Sequence, residues 1–136
     1  MRFGCDVVDL ARLTRIMGRN GGSFTRRILT DREEIWCQRS GLPAVNKVAA
    51  CLAVKESLIK AWGGRPPGFA WKNFELLLPA EDQVPEELAF LWPTLALEME
   101  ITEVHYHRCR VPGSDAAWAV WGSGQAMVVA VAVIMD

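Results

Sequence analysis

The chain has 136 residues, 51% of them hydrophobic, and a formal net charge of −1 at pH 7. That size suits one domain with a real core, while the longest continuous apolar run, 126–135, is too short to cross a bilayer as a helix. With no basic, apolar, small-residue leader pattern at the N-terminus, a soluble cytoplasmic protein with no nucleic-acid or membrane partner is expected, and its four cysteines, lacking C-x-x-C spacing, read as core thiols in a reducing compartment.

In chain order, an apolar strand from Phe3 to Val8 is interrupted by one acid, Asp6, and ends at Asp9, a good N-cap for a helix from Leu10 to about Met17. On that helix Leu10, Leu13, Ile16 and Met17 share one face, and Arg12, Arg15 and Arg19 fall on another. Gly18 and the glycines after Asn20 end it, and a short turn from Ser23 holds Phe24, Ile28 and Leu29. Thr30 followed three residues later by Glu33 is a capping-box pattern, opening a helix that stops near Gly41 and Pro43. The next helix, from about Asn46 to Trp62, is apolar nearly all round, which marks it as the central buried element. Gly63 and Gly64 stop it, and Arg65 to Gly68 form a loop. A strand over Trp71 to Leu78 follows, then a proline- and acid-rich stretch, a helix from about Glu86 to Leu97, and three strands over Thr102–Val111, Ala116–Trp121 and Met127–Ile134, with turns at 112–115 and 122–124. One α+β domain over residues 1–136, an antiparallel sheet beside one long helix, is the simplest account.

Two acids stand where an acid is costly. Asp6 lies in an apolar strand and Glu56 in the most apolar helix. Buried carboxylates persist when they are paired or bind a cation. Glu56 and Lys60 are spaced for a helical ion pair, which is one explanation. The other is a stronger partner such as magnesium, which takes one or two protein carboxylates and fills its remaining positions with water and phosphate oxygens. Arginines crowd the first forty residues and acids gather between Glu75 and Glu103, so the N-terminal third presents either a solvated basic face or a docking patch for something acidic. His105 and His107 share one strand face, as partly exposed strand residues or, with a third ligand, a metal pair. Walker A, G-x-G-x-x-G, G-x-S-x-G and H-E-x-x-H patterns are absent.

The segments Gly4-Cys5-Asp6-Val7-Val8-Asp9, Phe24 with Arg27 to Thr30 and Glu33, Leu52 to Glu56 with Lys60, and Trp71 to Leu76 together resemble the AcpS-type 4′-phosphopantetheinyl transferases, the holo-acyl-carrier-protein synthases. The resemblance covers about the first 78 residues. It implies transfer of 4′-phosphopantetheine from coenzyme A to a serine of an apo acyl or peptidyl carrier protein, with release of 3′,5′-ADP. It further implies Mg²⁺ held by Asp6 and Glu56, a catalytic set of Asp6, Glu56 and Lys60, and coenzyme A contacts from Lys55, Lys60, Gly63 and Ser123. The acidic carrier would dock on Arg12, Arg15, Arg19 and Arg27, and the family fold implies a homotrimer with active sites between neighbours. Two departures matter. Cys51 stands where the family has an arginine that assists coenzyme A, and an ungapped match backward from Ile134 places Ser123 at a family histidine. They keep open a second reading, a degenerate member that binds carrier protein or coenzyme A without turnover.

Overall fold

The computed structural model describes residues 1–20, 22–39, 41–83, 85–89, 101 and 103–135. Strand β1 (Arg2–Asp9) leads into helices α1 (Leu10–Asn20), α2 (Ser23–Ile28), α3 (Asp31–Cys37) and α4 (Ala44–Trp62). A 3₁₀ turn (Trp71–Asn73), β2 (Glu75–Leu76), α5 (Glu86–Ala89) and the strands β3 (Glu103–Val111), β4 (Ser114–Ser123) and β5 (Met127–Ile134) complete the described elements. The strands form one antiparallel sheet in the order β1-β5-β4-β3-β2. The expected α+β architecture is therefore present, with the first and last long strands side by side.

Helix α4 lies on one face of this sheet, against β1, β5 and β4. Small residues permit the close approach. Ala49, Ala50, Ala53 and Ala61 of the helix meet a sheet face carrying Ala117, Ala119, Ala130 and Ala132, all fully or nearly fully buried. Ser57 turns its hydroxyl to Ala53 O at 2.7 Å and Ala130 O at 3.3 Å, so this buried hydroxyl is satisfied. Gly4 sits where β1 touches the helix. A Cβ there would lie 2.8 Å from Ala61 N, 2.9 Å from Lys60 Cβ, and closer still to Ser57 O. Only glycine lets β1 come so near α4, and that proximity sets Asp6, two residues along the same strand face, beside the helix.

Several boundaries differ from expectation for local reasons. Helix α1 runs through Gly18 to Asn20, because its buried face is anchored by Leu10 and Leu13 and the glycine is exposed, costing only about 1 kcal/mol. The segment from Ser23 is a six-residue helix rather than a turn. The Thr30 capping box forms as expected, with Glu33 N donating to Thr30 Oγ1 and Thr30 N to Glu33 Oε1. The expected strand at Trp71 to Leu78 is reduced to the 3₁₀ turn and two paired residues, and β4 is longer at both ends. Of the helix expected over Glu86 to Leu97, only Glu86–Ala89 is seen, and the rest lies outside the described residues. Cys37, Cys51 and Cys109 are buried free thiols, as expected, whereas Cys5 is exposed.

Candidate active site

A cavity of about 530 Å³ opens between β1, α1, α2, α4 and the 3₁₀ turn, and both carboxylates singled out in the sequence, Asp6 and Glu56, line it. Asp6 projects from the β1 face that meets α4, opposite Ala130 in the register. Lys60, one turn beyond Glu56, donates to Asp6 Oδ1 at 3.1 Å and to Cys5 O at 2.8 Å. The ion pair predicted by spacing, Glu56 with Lys60, is thus replaced by an ion pair between helix and strand. Burial and the nearby Asp6 charge raise the Glu56 pKa above the ordinary glutamate range, and Arg65 and Lys60 draw it partly back. Two carboxylates that repel each other in a half-buried cleft form a donor set suited to a hard cation.

The remaining walls are basic on one side and apolar on the other. Arg12 and Arg27 line the cavity with Leu13, Ile16, Phe24 and Trp71. Asp9 does so too, while its Oδ1 caps α1 by accepting from Arg12 N at 2.9 Å. Arg15 and Arg19 are exposed on α1 outside the cavity lining, continuing its basic surface.

Three expected cofactor residues are placed elsewhere. Lys55 is fully buried, its ammonium 2.7 Å from Glu33 Oε1 and 3.3 Å from Trp71 O, so it cannot reach a phosphate in the cavity. This corrects the expectation: helical geometry turns Lys55 about 100° from Glu56, into the core rather than the cleft. Glu33 also accepts from Thr30 N and Leu76 N, so both oxygens of the buried carboxylate are hydrogen-bonded and the pair ties α3, α4 and β2 together. Gly63 closes α4 in a left-handed conformation, φ 110°, with its N–H directed to Ile59 O and Lys60 O, and does not line the cavity. Ser123 accepts a 2.8 Å bond from Asn46 Nδ2 near the start of α4, ten residues and about 15 Å along the helix from Glu56. Cys51 is buried against Cys37 and lines no part of the cleft. A guanidinium at that position would enter the core, so its loss removes nothing from the cavity wall of this chain. Of the two histidines, His105 is partly exposed as expected and His107 is not. His107 is fully buried, accepting from Trp121 Nε1 at 3.0 Å, and His105 stacks on the same indole at 4.3 Å.

The model of the 4′-phosphopantetheinyl transferase superfamily matches residues 2–120. The chain belongs to that superfamily. Curated relatives of this transferase include the holo-[acyl-carrier-protein] synthase of Protochlamydia amoebophila, 28% identical over 126 residues (89% of this chain and 97% of that protein), and that of Salmonella paratyphi C, 34% identical over 108 residues (76% and 82%). Among solved structures, the holo-[acyl-carrier-protein] synthase from Neisseria meningitidis is 26% identical with a TM-score of 0.63, covering 99% of this chain and 98% of that one. The enzyme from Bacillus anthracis in complex with CoA (3′,5′-ADP) shares the fold at 18% identity and a TM-score of 0.64, over 96% and 92% of the two chains.

Sequence reasoning found the carboxylates but missed Arg65 and the wall formed by Trp71. Trp71 is read as the start of a strand when its apolar neighbours are taken at face value. Arg65 precedes two prolines in a loop, where no periodicity signals a direction.

Proposed function

We propose that this transferase moves 4′-phosphopantetheine from coenzyme A to a serine of an apo acyl or peptidyl carrier protein, using magnesium held by Asp6 and Glu56. The supporting observation is the meeting of Asp6 and Glu56, from elements fifty residues apart, in one cleft walled by Arg12 and Arg27. In the reaction the serine oxygen forms a bond to the β-phosphorus, the bond from that phosphorus to the bridging oxygen breaks, and 3′,5′-ADP leaves with the electron pair. Magnesium, when bound, supplies neutralisation of the pyrophosphate charge. Glu56, lining the cleft beside Asp6, is the carboxylate placed to accept the serine proton. Lys60 holds Asp6 in place and sets a cation at the cleft rim, where its 54% exposed side chain can turn to a phosphate.

Arg12 and Arg27 in the cleft, with Arg15 and Arg19 beside it, present the basic surface that an acidic carrier requires, and guanidinium groups suit carboxylates through paired hydrogen bonds. A homotrimer with sites between neighbours accounts for Phe3 and Val7, 47% and 51% exposed on the β1 face turned away from α4. In such an assembly Ser123, distant from Glu56 of its own chain, would contact coenzyme A only in a neighbour's cleft. The alternative, binding without turnover, rests on Cys51 and Ser123, and the core position of Cys51 weakens it. Incubation with coenzyme A, magnesium and a panel of apo carriers tests the reading by mass spectrometry. It predicts one added phosphopantetheine on a cognate carrier, and stoichiometric carrier binding with no added mass would favour binding without turnover.

A further inference from the structure

A second cavity of about 540 Å³ adjoins the first, sharing Arg27 and Trp71 with it. Its other lining residues include Arg65, Phe69 and Lys72, so three cations surround two aromatic rings. Among the described residues none of the three is in an ion pair with a carboxylate. Unneutralised cations converging on a concave surface mark a place for an anion.

Arg65 is the best fixed of them. Its Cζ lies 4.8 Å from the Phe69 ring centroid and 5.1 Å from that of Trp71, a double cation–π contact that holds the guanidinium between two rings. The backbone is constrained as well. Gly63 and Gly64 turn the chain at φ 110° and 114°, and Pro66 restricts Arg65 to extended conformations. A guanidinium held in this way loses little freedom when it takes up an oxyanion, and its planar fork matches phosphate oxygens.

Building on the transferase reading, we propose that Arg65 binds a phosphate of coenzyme A, joining the second cavity to the catalytic cleft as one binding surface for the co-substrate. The Arg27 and Trp71 walls shared with the catalytic cleft favour a phosphate near the reacting centre over a carboxylate of the carrier. The phosphate is either that of the pyrophosphate or the 3′-phosphate, and the two sources are separable by experiment.

Binding of coenzyme A and of 3′-dephospho-coenzyme A, each with magnesium, should be measured by calorimetry for wild type, Arg65→Gln and Arg65→Lys, together with carrier KM. Arg65 is exposed, so its variants should melt as wild type does. The proposal expects Arg65→Gln to weaken coenzyme A about tenfold, the scale of one charge-assisted hydrogen bond, with Arg65→Lys intermediate and carrier KM unchanged. An equal loss for both ligands assigns the pyrophosphate, and a loss confined to coenzyme A assigns the 3′-phosphate. Wild-type affinity in Arg65→Gln, or an effect seen only in carrier KM, would overturn the role of Arg65 while leaving the transferase reading intact. Failure of the wild type itself to bind coenzyme A would overturn both.

Discussion

The buried imidazole of His107 makes stability depend on pH in a way the structure quantifies. Trp121 Nε1 donates to its Nε2 at 3.0 Å, and Leu77 O lies 3.3 Å from its Nδ1, an arrangement that suits the neutral ring with the proton on Nδ1. Protonating Nε2 would set two N–H donors against each other inside the core. Burial, with help from the His105 charge, lowers the His107 pKa from 6.5 to about 4, although the Leu77 bond opposes it. The unfolded chain therefore binds this proton near pH 6.5 and the folded chain only near 4, so the unfolded state carries more protons between those values. The stability from His107 is fully present above pH 6.5 and is lost as pH falls toward 4. At about 1.4 kcal/mol per pH unit the loss amounts to roughly 3 kcal/mol, on the order of 10 °C in Tm. His107→Gln cannot titrate, yet its amide can accept from Trp121 and donate to Leu77 O. Urea unfolding at pH 7.5 and pH 4.5 should show wild type losing about 2–3 kcal/mol more than His107→Gln, the other titrating groups cancelling between the two proteins. Equal losses, or an NMR titration of His107 near 6.5, would refute the reasoning.

Three further outcomes are expected. Arg12→Glu and Arg19→Glu should raise carrier KM while leaving coenzyme A affinity nearly unchanged, and wild-type turnover should fall with added salt because exposed charge pairs are screened over about 8–10 Å; steady-state kinetics at two ionic strengths checks both. Lys55→Ala should destabilise the fold by about 3–5 kcal/mol by leaving Glu33 buried and unpaired, and denaturant unfolding checks it against the value for Lys72→Ala, an exposed site. Light scattering should give about three times the 15.1 kDa chain, and a Phe3→Lys, Val7→Lys double variant should shift the mass toward the monomer.

The elements with strong local signals were legible in the sequence. The all-round apolar run of α4, the Thr30–Glu33 capping box, the Asp9 cap and the alternating final strands each carry their own physical signature, and each appears near its expected place. Asp6 and Glu56 were legible because an acid in an apolar element is conspicuous, and the structure brings them into one cleft. Lys55 was misread because its neighbour Glu56 faces the cleft, and adjacent helical positions point in different directions; its partner Glu33 lies on another helix, invisible to local spacing. The pattern of β3 reads His107 as partly exposed because alternation does not reveal that Trp121, on the neighbouring strand, covers it. Arg65 went unmarked because its role depends on two rings that the loop folds around it.

The central claim is that Asp6 and Glu56 form a metal-dependent catalytic pair, and transfer rate against magnesium concentration for wild type and Glu56→Gln tests it most directly. Wild type should lose activity in chelator and regain it with added magnesium. Glu56→Gln, folded as judged by its unfolding midpoint, should stay at least about 100-fold slower at saturating magnesium, the scale of one lost electrostatic contact to the reacting group. Turnover of Glu56→Gln at the wild-type rate, or transfer by wild type that is indifferent to chelation, would contradict the account.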